Sequence, residues 1–396
     1  MQEIDTIDTV SPAAHDAPVA AYADALFTLA VQQRASDIHL EPQQQGLVIR
    51  LRVDGLLHRV PSPAEQIARR LCARIKIMAA MDIAEQRRPQ DGRISTLGDG
   101  FQLDARVSSL PTLWGEKLVL RLVPANSSLL TLDALGLNQT QHAHLLEALS
   151  QPQGLILVTG PTGSGKTQTL YSALQWLNAE HRNISTAEEP IEIPLTGINQ
   201  VAIRPSIGLD FAATLRALLR QDPDVLMVGE IRDDATASMA IRAAQTGHLV
   251  LSTLHTNSAR ATLLRLNQLG VSERNLTESL TLVLAQRLLR RLCGGCKKAS
   301  QVATKVGARA QSAGFEANAV GCQRCLNGYR GRLGVFELSS GPGLFEPASN
   351  LGPTANTMQQ GSTKSLRDNA LTYHRSGDTS LAEVDRVLPS TIEQFC

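Results

Sequence analysis

Apolar residues change their spacing several times along this chain, and each change marks an element. Near the start, Ala25, Leu26, Leu29 and Ala30 recur at helical intervals. After Asp37 the period drops to two. Leu47, Ile49, Leu51 and Val53 alternate with Val48, Arg50, Arg52 and Asp54 until Gly55, which predicts a strand with one arginine-bearing face. Ile67, Leu71, Ile75 and Met78 then form one stripe of a helix over residues 64–81, and strands are expected near 101–107 and 116–123. Together these elements predict an α+β domain over residues 19–124. Residues 1–18 are acidic and rich in alanine and proline, the composition of a disordered tail.

Residues 125–138 predict a linker. Beyond it, short continuous apolar runs at 155–159, 184–187, 225–228 and 249–253 are separated by helical stretches. Strands that alternate with helices predict an α/β domain with a parallel sheet over residues 139–290. A cysteine-bearing segment occupies 291–338. Residues 339–396 read as a divergent, partly disordered carboxyl-terminal region, in which 339–363 has linker composition and 364–389 has room for two short helices.

Bulk properties narrow the function classes. A chain of 396 residues, 43% of them hydrophobic, supports two or three packed domains. Its net charge of +1 lacks the basic excess of a generic nucleic-acid binder, so no direct nucleic-acid contact is expected. No run approaches the ~18 apolar residues of a membrane span. Met1 to Gln33 holds no lysine or arginine, unlike a secretory leader. These features predict a cytoplasmic protein whose membrane contacts go through partners.

Chemistry enters at the first apolar run. Leu155-Ile156-Leu157-Val158 leads into Gly160-Pro161-Thr162-Gly163-Ser164-Gly165-Lys166-Thr167, and a helix with Leu170, Ala173, Leu174 and Leu177 on one face follows. This strand–loop–helix setting is the one a phosphate-binding P-loop requires. Its glycines let backbone N–H groups turn toward phosphates, and the helix start adds positive potential. Lys166 is expected to reach the β- and γ-phosphates of ATP, and the Thr167 hydroxyl to ligate Mg²⁺.

Acidic and imidazole groups cluster after the other apolar runs. Val225–Val228 precedes Gly229-Glu230-Ile231-Arg232-Asp233, and Glu230 is the candidate that readies the attacking water. Glu188 and Glu189 follow Ile184–Ala187 and are expected to face the γ-phosphate. His248 and His255 flank the run Leu249–Thr253. Their separation of about 23 Å along an extended strand forbids a shared metal. His255, at the carboxyl end, is the candidate γ-phosphate sensor.

Of six cysteines, four form the pairs Cys293–Cys296 and Cys322–Cys325, with two residues inside each pair. Four thiolates in two such knuckles suit a closed tetrahedral Zn²⁺ site with a structural role. A cytosolic setting disfavours disulfides.

These motifs, taken in order, resemble the secretion ATPase superfamily, in its branch of type II secretion and type IV pilus assembly ATPases. The resemblance is carried by Ala35-Ser36-Asp37-Ile38-His39-Leu40-Glu41-Pro42, Arg52-Val53-Asp54-Gly55, Gln90-Asp91-Gly92-Arg93, Arg106-Val107-Ser108 and Gly115-Glu116-Lys117 in the first domain. In the second it rests on the phosphate loop, Ser185–Glu192, Arg220–Asp224, Gly229–Asp233, Gly247-His248, Leu254–Asn257 and Gly328–Arg332. It covers about residues 20–338, with an echo from Ser365 to Leu388.

The resemblance implies a PAS-like first domain, a RecA-like P-loop ATPase domain and a hexameric ring. It implies that Arg93 and Arg106 reach a neighbouring nucleotide as arginine fingers. Its function would be ATP hydrolysis driving pseudopilin assembly and protein export in a type II secretion system, docked on inner-membrane platform proteins. Pilus extension is the alternative, and a low-activity paralogue or a DNA translocase follows behind. The four cysteines favour assembly or secretion over pilus retraction. Three features depart from the family pattern: Glu189 stands where aspartate is usual, an additional amino-terminal docking domain is expected to be missing or vestigial, and the tail after Glu337 is poor in apolar residues.

Overall fold

A computed structural model describes residues 17–98, 101–123, 129–300, 305–306, 309–310, 314–340 and 364–390. The chain divides into two compact units, Met1–Ser128 and Leu129–Cys396. Most of the expected tail, residues 341–363 and Cys396 lie outside the described residues, as does the start of the expected linker.

The first unit is a six-stranded antiparallel sheet with two helices. Helix α1 (Ala17–Gln32) precedes strands β1 (Asp37–Gln43), β2 (Gly46–Val53) and β3 (Leu56–Val60). Helix α2 (Glu65–Met78) and strands β4 (Gln90–Gly98), β5 (Phe101–Thr112) and β6 (Gly115–Val123) follow. The sheet order is β3-β2-β1-β6-β5-β4. In β2 the alternation seen in sequence becomes strict: Leu47, Ile49, Leu51 and Val53 are buried and the residues between them half-buried. The same sheet aligns charge. Arg52, Asp37, Arg121, Arg106 and Arg93 are successive register partners across β2, β1, β6, β5 and β4, so four arginines and one aspartate form a single cross-strand row.

The second unit opens with a short 3₁₀ turn (Leu132–Leu135) and helix α3 (Gln139–Leu149), which starts with a capping box between Asn138 and Gln141. Then come β7 (Gly154–Thr159), α4 (Lys166–Leu177), β8 (Ile184–Glu188), β9 (Asn199–Ala202) and α5 (Phe211–Leu218). They are followed by β10 (Val225–Val228), α6 (Asp234–Gln245), β11 (Leu249–Leu254), α7 (Ala259–Gln268), α8 (Glu273–Ser279) and β12 (Leu280–Leu292). Two-residue strands β13 (Lys298–Ala299) and β16 (Phe315–Glu316) pair with each other, as do β14 (Lys305–Val306) and β15 (Arg309–Ala310). Strand β17 (Tyr329–Ser340) and helices α9 (Leu366–Arg375) and α10 (Leu381–Val387) complete the unit.

Its seven-stranded sheet has the order β17-β12-β7-β11-β10-β8-β9, parallel except where β17 runs against β12. All residues of β7, β10 and β11 are buried. Alternate side chains supply two cores: Leu155, Leu157, Leu226 and Val228 in one, Ile156, Val158, Val225 and Met227 in the other. That explains the continuous apolar runs, because a parallel sheet covered by helices on both faces needs apolar residues on both.

One expectation about the chain's last third needs correcting. The segment 291–338 is not a separate module, because its final stretch is β17, an edge strand of the main sheet. The described part of the tail forms two short helices within 364–389, as its sequence had room for, and they are packed. Leu366, Ala370 and Val384 from α9 and α10 close on Ala285, Leu289 and Val335 as a third apolar cluster. Fully buried Glu383 receives both Arg290 and Arg386 beneath them. The stretch looked loose because few apolar residues suffice to cap one patch of sheet.

Candidate functional site

At the carboxyl end of β7 the chain enters the glycine loop. Gly160 has φ 151° and Gly165 φ 90°, and each is pressed by a neighbour. A Cβ on Gly160 would stand 2.5 Å from the Gln286 carbonyl oxygen, and one on Gly165 would stand 2.8 Å from Gln286 Nε2. The loop therefore accepts only glycine there. Lys166, the first residue of α4, is 9% exposed and folds back so that Nζ donates to the Gly160 carbonyl (2.7 Å) and the Pro161 carbonyl (3.1 Å). Ser164 Oγ is buried within the same loop and has no hydrogen-bond partner. An orphaned hydroxyl and a lysine satisfied only by its own loop fit an anionic guest such as a nucleotide phosphate. Thr167 lies exposed beside them.

Burial, with the Arg287 guanidinium nearby, pushes the Lys166 ammonium down to about 8 against the pull of Glu230. A bound phosphate chain favours the charged form. Free protein is protonated below that value, so affinity for a triphosphate should be full there and fall as pH rises through 8 and above. Binding near pH 8.5 should take up a fraction of a proton, read by calorimetry in buffers of different ionisation enthalpy. A binding enthalpy independent of buffer would contradict it.

The neighbouring strand ends converge. Ile231 N–H donates to the Thr253 carbonyl (3.0 Å) and Thr253 Oγ1 to the Gly229 carbonyl (2.7 Å), tying the end of β10 to β11. Gly229 N–H reaches the Ala187 carbonyl at 2.8 Å, tying it to β8. Asp233 caps α6 through the Thr236 N–H. These ties set four side chains in a chain of contacts. Arg232 Nη1 donates to Glu189 Oε2 (2.9 Å) and its Nη2 to Glu230 Oε1 (2.6 Å), and His255 Nε2 stands 3.4 Å from Glu230 Oε2. Burial raises the Glu230 carboxyl, but Arg232 and His255 outweigh it and hold the group below the ordinary glutamate value. Glu230 is thus a carboxylate at neutral pH, able to orient water and accept a proton.

Glu188 has a different setting. It is 3% exposed and accepts from the Tyr171 hydroxyl, Thr186 Oγ1 (2.6 Å) and Gln200 Nε2 (2.9 Å). The structure brings Glu189, Glu230 and His255 together and places Glu188 in the core beneath them. His248, at the other end of β11, bonds the Ala243 carbonyl at 3.0 Å. In the first unit, Arg93 is clamped by both oxygens of Asp104 at 2.9 and 2.6 Å, with Arg106 its register partner.

Sequence reasoning overlooks Arg232 and Gln286. Arg232 sits between two candidate acids in the motif Gly229–Asp233, a signal that was available. Gln286 lies far along the chain, and only sheet order brings β12 beside β7.

The four cysteines converge on a point. Cys293 and Cys322 sulfurs lie 3.8 Å apart, Cys296 and Cys325 3.5 Å, Cys322 and Cys325 3.6 Å, and all lie within 4.8 Å of one another. Tetrahedral Zn²⁺ with bonds of about 2.3 Å needs sulfurs about 3.8 Å apart, whereas a disulfide needs about 2.05 Å. The donor set fits zinc.

A glycine loop at the mouth of β7, flanked by carboxylates at the ends of β8 and β10, defines a P-loop ATPase with an α/β fold. Residues 12–386 match the family described as Type II/IV secretion system protein. The chain is 48% identical to the type IV pilus assembly ATPase PilB of Acinetobacter baylyi over 94% of its own length and 66% of that protein's. It is 44% identical to the type II secretion system ATPase E of Vibrio cholerae over 94% of its length and 76% of that protein's. Among solved structures, the pilus retraction motor PilT with bound ADP superposes with TM-score 0.60 and 27% identity, covering 91% of this chain and 95% of that one. The Legionella pneumophila ATPase DotB shares the fold at TM-score 0.66 and 22% identity, over 92% and 95%. The chain belongs to the Type II/IV secretion system protein family, in its group of secretion and pilus ATPases. It spans about two thirds of the length of its first curated relatives. No helix among the described residues is long and apolar enough to cross a membrane.

Proposed function

We propose that this chain is the ATP-hydrolysing motor subunit of a machine that builds pilin-like filaments, either pseudopilins in a type II secretion system or pilins in a type IV pilus. The observation that carries the proposal is the contact chain Glu189–Arg232–Glu230–His255 at the sheet edge beside the phosphate loop. Residues Gly160 to Thr167 hold ATP. Lys166 leaves its two loop carbonyls for the β- and γ-phosphates, and Thr167 and Glu189 would hold Mg²⁺, which would neutralise charge on the phosphates. Glu230 orients the attacking water and takes its proton, while His255 registers the γ-phosphate through Glu230. Buried Glu188 fixes the end of β8, and with it the position of Glu189. The secretion reading has support in relatives 44–48% identical, and the pilus reading in relatives 45–48% identical. Restoration of secretion or of pili in bacteria lacking the respective ATPase separates them.

In the proposed ring, Arg93 and Arg106 of one subunit complete the next subunit's site, and inner-membrane platform proteins hold the ring at the cytoplasmic face. Phosphate release per chain should then rise at least tenfold as protein concentration passes through the assembly range. It should lose most of that rise in Arg106→Ala. A specific activity flat across assembly, as followed by light scattering, would reject arginines supplied by a neighbour.

A further inference from the structure

Strand β12 passes directly beside the phosphate loop and delivers two adjacent side chains to it. Gln286 accepts a hydrogen bond from Thr169 Oγ1 at 2.8 Å. The next residue, Arg287, is 7% exposed. Its Nη1 lies 3.2 Å from where a Cβ on Gly160 would stand, so the guanidinium rests against the first glycine of the loop.

The partners of this guanidinium are all neutral. Nη1 donates to the Gln286 carbonyl at 2.9 Å, and Nη2 to the carbonyl and Oδ1 of Asn257, both at 3.1 Å. Among the described residues no carboxylate stands within ion-pair distance. Glu337 acts on Arg287 only from farther away, and its two oxygens accept from the Ala259 and Leu366 N–H groups. Carbonyls orient a cation without neutralising it, and a buried charge lacking a counter-ion is costly. Arginine is also suited to hold phosphate, because its planar fork offers two parallel donors.

We propose that Arg287 is a phosphate-binding residue of its own chain's nucleotide site, joining Lys166 on the β- and γ-phosphates. This rests on the reading of the site as one for ATP. Guest phosphates supply the counter-charge that the fold withholds. The fork's other bonds, to Asn257, tie the phosphates to the loop that carries His255. In a motor of this design a buried arginine comes from within the chain, distinct from the arginine row of the first unit.

The test compares ATP with AMP, which lacks the β- and γ-phosphates, by displacement of a fluorescent nucleotide from the full chain. Arg287→Met removes the charge. It should weaken ATP at least tenfold, leave AMP within about twofold, and be rescued to within about threefold of wild type by Arg287→Lys. Arg287→Gln, which keeps a donor toward Asn257, replaces the methionine variant if that protein shows no cooperative melt. Unchanged ATP affinity in a folded neutral variant overturns the assignment. So does an equal loss for ATP and AMP, which would make Arg287 a strut between β12 and the 255–257 loop. If wild type binds neither nucleotide, the ATP reading falls and takes this one with it. If wild type binds ATP and the neutral variant binds it equally, only Arg287 is refuted.

Discussion

Lys166→Ala should lose ATP turnover at least a thousandfold, and should lose ATP affinity with it. The lysine is nine-tenths buried, and among the described residues it donates to the carbonyls of Gly160 and Pro161. Those bonds hold the loop in place, yet they release the ammonium as soon as a stronger acceptor enters. A thousandfold loss corresponds to about 4 kcal/mol of transition-state stabilisation, which one charge at the transferring phosphoryl group supplies in a dry site. Glu230→Gln should separate the two effects. It keeps shape and removes the negative charge that faces His255 and Arg232, so ATP still binds while hydrolysis falls by about 10²–10⁴. Phosphate release and nucleotide affinity, measured on both variants, decide the matter. Turnover near wild type in either one ends the assignment of that residue.

Local chemistry made the centre of this fold easy to read from sequence. The runs 155–159, 184–187, 225–228 and 249–253 lie within β7, β8, β10 and β11, because strands buried on both faces cannot disguise their composition. The glycine loop was equally plain, since the positions of Gly160 and Gly165 admit no other residue. What stayed hidden depends on long-range pairing. In β12, Leu280, Leu284 and Leu288 recur every four residues, a helical spacing, and only pairing with β7 and β17 settles the strand. Strand β17 arrives after a cysteine segment that draws attention to metal and away from the sheet. Glu188 and Glu189 are adjacent, and although Glu189 departs from the family pattern, nothing in the sequence says which of the two is buried. Glu188, the last residue of β8, turns into the core, and Glu189, just past the strand, stays at the surface beside Arg232.

The same strand explains how distant parts of the second unit meet. Along β12, Gln286 and Arg287 touch the phosphate loop, Arg290 stacks 3.8 Å over the Tyr329 ring and pairs with buried Glu383, and Cys293 follows immediately after the strand. Nucleotide loop, carboxyl-terminal helices and cysteine cluster are therefore mounted on one rigid element, and the strand itself needs both ends secured.

That requirement gives the last prediction. Cys322→Ser should abolish tight zinc binding, reducing metal content from one atom per chain to near none, and make the 293–328 segment at least ten times more sensitive to trypsin at Arg324. Within this segment the described strands are only two residues long, and a few contacts such as Cys293 N–H to the Gly328 carbonyl and Lys297 Nζ to the Gly377 carbonyl supplement the sulfurs. A structural zinc site contributes on the order of 10 kcal/mol to folding the peptide around it. The seven-stranded sheet should still melt cooperatively, because its cores draw on β7, β10 and β11 and contain no cysteine. A reducing agent should change nothing in the wild-type protein, since the sulfurs stand at zinc-spanning rather than disulfide distances. Wild-type protein purified without metal and cut at Arg324 no faster than the zinc-loaded form would show that the fold alone closes the cluster.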